Sequence, residues 1–166
     1  MAAIVVTVAA VLLLVAGGAK IARPEPASNA LGVVGLSAPP ILTRIGAGIE
    51  MLIALAALVL PGPIPSILVG ASYLAFAGFV LLLRRHPEAE SCGCFGVEDE
   101  PPSWRHVVVN LLVGVGCLGA AATSSPSVAA LWREDWITGL LFVVLSLTAA
   151  WLVGLVLRTA RWSFGT

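Results

Sequence analysis

Five long apolar runs succeed one another along the 166 residues of this chain, and together they leave few folds open to it. The first, Ala2 to Ala19, carries no charge. The second runs from about Pro40 to Leu60 and contains Arg44 near its start and Glu50 in its middle. The third is Pro65 to Leu83, the fourth Val107 to Ala122, and the fifth Trp136 to Leu157. A membrane-crossing helix needs about 17–25 residues. Four runs reach that length directly, and the fourth does so if Trp104 to His106 form its first turn. Hydrocarbon offers no partner to an open backbone, so each span must be a helix. Composition agrees: 59% of residues are hydrophobic and 11% charged, whereas soluble domains are about 45–50% apolar and about 25% charged. The expected fold is all-α, a polytopic transmembrane bundle with a four-helix core and a fifth C-terminal helix. Residues 1–123 form the four-helix membrane domain in this reading, and 124–166 the linker and added helix.

Lysine and arginine set the expected orientation. With the N-terminal side of the bundle called face A, the opposite face B receives Lys20, Arg23, Arg44, Arg84, Arg85, Arg105, Arg158 and Arg161, and face A receives only Arg133. Cytoplasmic loops carry such an excess, so the chain is expected in the cell membrane with its N-terminus outside and its 84–106 loop cytoplasmic. Trp104, Trp132, Trp136 and Trp162 fall at expected span ends, where amphipathic rings prefer the headgroup level. Trp151 lies inside the fifth run and reads as packing. A cleaved signal peptide is the other reading of the first run, but it lacks a basic n-region and exceeds the usual apolar length. The formal net charge is zero, which gives no footprint for nucleic acid. The membrane partner is lipid.

Chemistry gathers in the most polar loop, between the third and fourth runs. It holds Cys92-Gly93-Cys94, flanked by Arg84, Arg85 and Arg105 and by Glu88, Glu90, Glu98, Asp99 and Glu100. A reactive thiol needs an accessible thiolate stabilised by positive charge; the arginines supply that charge and the carboxylates oppose it. Neighbouring thiols can cycle between dithiol and disulfide by exchange. A bridge across one residue is a small ring, and strain makes it easier to reduce, which suits a relay more than a permanent staple. Gly93 gives the backbone its best chance of accommodating that ring. Cys117, set among Gly114, Gly116, Gly119 and Ala120, reads as a small packing residue.

The Cys92-Gly-Cys-Phe-Gly96 stretch between the third and fourth spans, Gly18-Ala-Lys20 closing the first, Glu50 in the second and Asn110 in the fourth together resemble the MauE/DoxX-type family of redox-associated membrane proteins. The resemblance covers about residues 1–123. It implies a thiol–disulfide redox component acting through Cys92 and Cys94, supported by Gly93, Phe95, Gly96, Lys20, Glu50 and Asn110. It also implies a role in disulfide formation or maturation of an exported partner, such as a methylamine dehydrogenase subunit, or exchange with a thioredoxin-like protein. Where the family pattern has Arg-Asn in the fourth helix, this chain has Val109-Asn110, with Arg105 and His106 a turn earlier.

Charges inside a membrane are costly and face the bundle interior. Glu50 is expected to pair with Lys20 or Arg44. Such a pair either fixes helix packing or forms a proton- or quinone-linked site under the cysteine loop; no cofactor motif is evident, and a quinone is the compatible class. Asn110 is expected to hydrogen-bond between helices. Ala71-x-x-x-Ala75 and Gly116-x-x-x-Ala120 offer small faces for close helix approach. Metal binding is the alternative function, through His86, Cys92, Cys94 and His106, although their spacing fits no standard zinc pattern. A partner-binding membrane scaffold is the third. Stable disulfides are rare on the cytoplasmic side, so the pair is a transient couple there or the orientation is inverted.

Overall fold

Prolines mark where the helices of this chain begin. They are tolerated in a first turn, whose N–H groups lack intrahelical partners anyway. The computed structural model describes residues 2–87, 89, 93, 101–123, 136–137, 139–140 and 143–148. It contains α1 (Ala2–Ala22), α2 (Glu25–Val33), α3 (Pro40–Val59), α4 (Pro63–Leu83) and α5 (Trp104–Ala121), with no strand among the described residues. Helix α3 starts at Pro40 directly after Pro39, and α4 at Pro63 after the hairpin residue Gly62. Among the described residues four helices, α1, α3, α4 and α5, are long and apolar enough to cross a membrane. Helix α5 begins at Trp104, so the interfacial first turn needed by the fourth run is present. The all-α membrane class holds. In the fifth run, 136–137, 139–140 and 143–148 are helical, and Ser146 among them is buried. Trp132, Trp151 and Trp162 lie outside the described residues.

Residues 21–39 link the first apolar run to the second, and the sequence alone predicts a loop along the interface there. Nine of them form α2. Pro24 caps it, Glu25 and Pro26 occupy its first turn, and an acidic side chain there suits the helix dipole. It stops in a Schellman turn. Gly35 takes φ +79°, its N–H donates to Gly32 at 3.0 Å, and Leu36 N–H donates to Leu31 at 2.9 Å. Ser28 Oγ donates to the Ala38 carbonyl, tying the helix to the chain that follows it.

In the bundle, α4 packs along α5 and α1 along α3, α1 also meets α5, and α3 closes against α4 over a shorter stretch. Its interior is small and its exterior large. Ala9, Ala10, Ala47, Ala54 and Ala77 are buried, whereas Ile45, Ile49, Leu52, Leu55, Leu112 and Val115 are exposed. A water-soluble domain would expose no such continuous apolar surface. In lipid this surface is the correct one, and small interior residues let the backbones approach.

The closest approach of α4 to α5 lies one residue away from the small face expected on α4. Ala71 and Ala75 are exposed. The contact runs through Gly70, where a Cβ would lie 3.0 Å from the Gly114 carbonyl oxygen. The reason is the neighbours: Val69, Tyr73, Ala77 and Val80 form the buried stripe of α4, and Gly70 sits on it. On α5 the expected face holds better. A Cβ on Gly116 would meet Val5 Cγ1 at 3.0 Å, and Ala120 is buried. Cys117 is a free, fully buried thiol in the same cluster, which is the packing role read from sequence.

Candidate functional site

Lys20, Glu50, Arg84, Trp104, Asn110 and Gly93 lie toward the end of the bundle where α1 leads into α2 and α4 into the cysteine loop. Antiparallel packing of α1 on α3 begins with Gly17, where a Cβ would lie 2.7 Å from Met51 Cγ and 3.0 Å from the Ala47 carbonyl oxygen. One turn beyond Gly17 stands Lys20. On α3, Glu50 shares the inward face with Ala47 and Ala54, three residues before it and four after, both buried. Side chains of helices lean toward their own N-terminus. In two antiparallel helices Lys20 therefore leans inward along α1 and Glu50 outward along α3, and they meet.

Lys20 Nζ donates to both carboxylate oxygens of Glu50, at 2.9 and 2.6 Å. It also lies 4.6 Å from the centroid of the Phe76 ring on α4. The ammonium thus joins three helices, with 9% of the Lys20 side chain and 18% of the Glu50 side chain accessible. Of the two cations considered for Glu50, Lys20 is the one that bonds it. Arg44 Nε instead donates to the Ile21 carbonyl at 3.2 Å, covering an orphan acceptor at the end of α1.

Asn110 does not bridge helices through its amide nitrogen. Its Nδ2 donates to the His106 carbonyl at 2.7 Å, one turn back in α5. His106 Nδ1 is 2.8 Å from Ser103 Oγ. Arg84 stacks its guanidinium 4.1 Å from the Trp104 ring centroid, clamping the two ends of the loop together. Among the described residues no three His, Cys, Asp or Glu side chains gather as metal ligands.

Of the cysteine motif, Gly93 is described; Cys92, Cys94, Phe95 and Gly96 lie outside the described residues. Gly93 is buried and takes φ +62°. A Cβ there would lie 2.6 Å from both Cα and N of Ala27 and 2.8 Å from the Pro26 carbonyl carbon, all backbone atoms of the first turn of α2. Ala89, a few residues earlier, is buried in one cluster with Ala30 of α2, Val80 and Leu83 of α4, and Val107 of α5. Gly93 therefore rests on the first turn of α2.

The model of the family described as methylamine utilisation protein MauE matches residues 1–124. The chain belongs to the MauE family. That match ends just beyond α5, so it spans all four membrane-crossing helices, α2 and the loop that carries the cysteines. Neither the curated proteins nor the solved structures yield a match. The protein is thus a multi-pass membrane protein of a family linked to methylamine utilisation.

Sequence reasoning missed two parts of this end. Phe76 was absent from the expected site because an aromatic residue within an apolar run carries no charge signal. The seat under Gly93 was missed because α2 was read as a loop. Its signals were present in the sequence as Pro24, Glu25 and Pro26 at one end and Gly35 at the other.

Proposed function

We propose that this MauE-family protein is a membrane thiol–disulfide component that uses Cys92 and Cys94 to oxidise, and so help to mature, an exported or thioredoxin-like partner. The observation that carries this reading is Gly93. The residue between the two cysteines is buried, left-handed and in van der Waals overlap range of α2 for any side chain but hydrogen. An incidental loop glycine has no need of such a position.

The exchange balances within the two proteins. A partner thiolate attacks one sulfur of a Cys92–Cys94 disulfide, and the other leaves as thiolate. The partner's second thiolate then attacks its own mixed-disulfide sulfur and frees the attached cysteine. Two electrons pass to the pair, two protons follow, and the partner gains a disulfide. A membrane quinone, which accepts two electrons and two protons, is the class of oxidant that returns the pair to the disulfide. The Lys20–Glu50 pair, buried at the same end of the bundle, is the polar group nearest in kind to such a step.

Acid-quenched alkylation in native membranes tests this. The Cys92/Cys94 pair is expected as dithiol when the quinone pool is reduced and as disulfide when it is oxidised, with Cys117 alkylated only after denaturation. A pair that stays in one state under both conditions contradicts the reading.

A further inference from the structure

We propose that the first turn of α2 is the seat of Gly93 and through it sets the redox equilibrium of the two flanking cysteines, with Gly93 and Ala27 as the positioning residues; this rests on the thiol–disulfide reading above. Gly93 meets two independent demands. Its φ of +62° suits glycine and, among larger residues, asparagine best. Its approach of a virtual Cβ to 2.6 Å from Ala27 Cα and N admits no side chain at all, because the obstacle is backbone and cannot swing away.

The seat is itself held. Ala27 and Ala30 are buried, the Schellman turn closes the far end of α2, and Ser28 bonds the Ala38 carbonyl. Ala89, four residues before Gly93, is buried in the same cluster as Ala30 of α2. Cys92 and Cys94 are the covalent neighbours of Gly93. A bridge between them closes a ring through the φ and ψ of Gly93. Lifting Gly93 off α2 therefore changes how easily the ring closes, and with it the balance between dithiol and disulfide.

The experiment equilibrates the full-length protein in membranes with glutathione buffers and reads the Cys92/Cys94 dithiol–disulfide constant. Gly93→Ala and Gly93→Asn are both expected to shift that constant by about tenfold. Gly32→Ala, on α2 where an added Cβ meets nothing within 4 Å, is expected to leave it unchanged. A wild-type constant in Gly93→Asn alongside a shifted one in Gly93→Ala would mean that backbone conformation alone matters, and would overturn the seat. Should the Gly93 variants fail to accumulate, Ala27→Cys decides. Mild oxidation is expected to join the introduced thiol to Cys92 or Cys94, linking tryptic peptides 21–44 and 86–105, while Gly32→Cys gives no such link. Absence of the link in Ala27→Cys overturns the seat. A normal link in a protein whose cysteines never exchange with a partner overturns the redox reading instead.

Discussion

The two ends of this bundle are built on opposite principles. At the end that holds the α3–α4 hairpin, the core is Val6, Ala9, Ala10, Leu13, Ala54, Ala57, Val69, Tyr73, Cys117 and Ala120, and it is almost wholly apolar. Two of its polar groups are satisfied by nearby backbone: Tyr73 donates to the Ala9 carbonyl and Thr7 to that of Ala3, each at 2.9 Å. The end that holds α2 and the cysteine loop carries the buried ion pair, the Arg84–Trp104 stack and the Gly93 seat. The first end is a close-packed apolar scaffold. At the second, polar side chains fix one geometry.

That contrast is most sharply tested by the ion pair. Glu50→Ala strands the Lys20 ammonium among three helices, and removal of one partner of a buried pair costs about 3–5 kcal/mol. Folded yield in mild detergent is expected to collapse. Glu50→Gln, which keeps an acceptor beside Nζ, is expected to lose less. The double variant Lys20→Met with Glu50→Leu is expected to recover yield, since a matched apolar pair can replace a buried ion pair. If the double variant is as poor as Glu50→Ala, the loss comes from packing and not from a stranded charge.

A smaller effect is expected at the helix seam. Gly70→Ala drives a methyl toward the Gly114 carbonyl and Leu118, an overpacking worth about 1–3 kcal/mol. Gly78→Ala, with nothing within 4 Å of its Cβ position, is expected to be neutral in the same thermal-shift assay. Equal losses in both would place the α4–α5 contact elsewhere. Smaller again is Cys117→Ala, whose truncation leaves a void costing about 1 kcal/mol and is expected to leave thiol exchange unchanged.

Orientation involves no stability change at all. In a background without native cysteines, Pro61→Cys and Ser37→Cys place thiols at exposed positions at opposite ends of the bundle. The charge excess predicts that a membrane-impermeant maleimide labels Pro61→Cys in intact cells and Ser37→Cys only after lysis. The reverse pattern would put the cysteine end outside and remove the conflict with a reducing cytosol.

Much of the scaffold was legible in the sequence because its causes are local. Uninterrupted apolar length gave α1, α3, α4 and α5, and a charge within such a run had to find a partner, which gave Lys20–Glu50. The register of helix faces was harder. Small residues at Ala71 and Ala75 looked like a seam, yet Tyr73 and Val69 turn the other side of α4 inward, and only packing decides between such stripes. Helix α2 was hidden by its composition, since Pro, Gly and Ser are also loop residues. It is held by burial of Ala27 and Ala30 against the bundle, a tertiary cause with no short-range signature. The role of Gly93 followed from that same contact and was legible only as a tolerance for a tight turn.

The thiol–disulfide function depends on what Cys92 and Cys94 do when one is missing. If partner thiolates attack only one of the two sulfurs, then in the reverse step only that cysteine attacks the partner's disulfide and the other one resolves it, so Cys92→Ser and Cys94→Ser must differ on non-reducing gels of whole membranes. One variant is expected to accumulate a reducible covalent complex with a second protein, the other none, and Cys117→Ser is expected to match the parent. Partner oxidation that continues normally in both single variants, with no complex in either, would contradict the account.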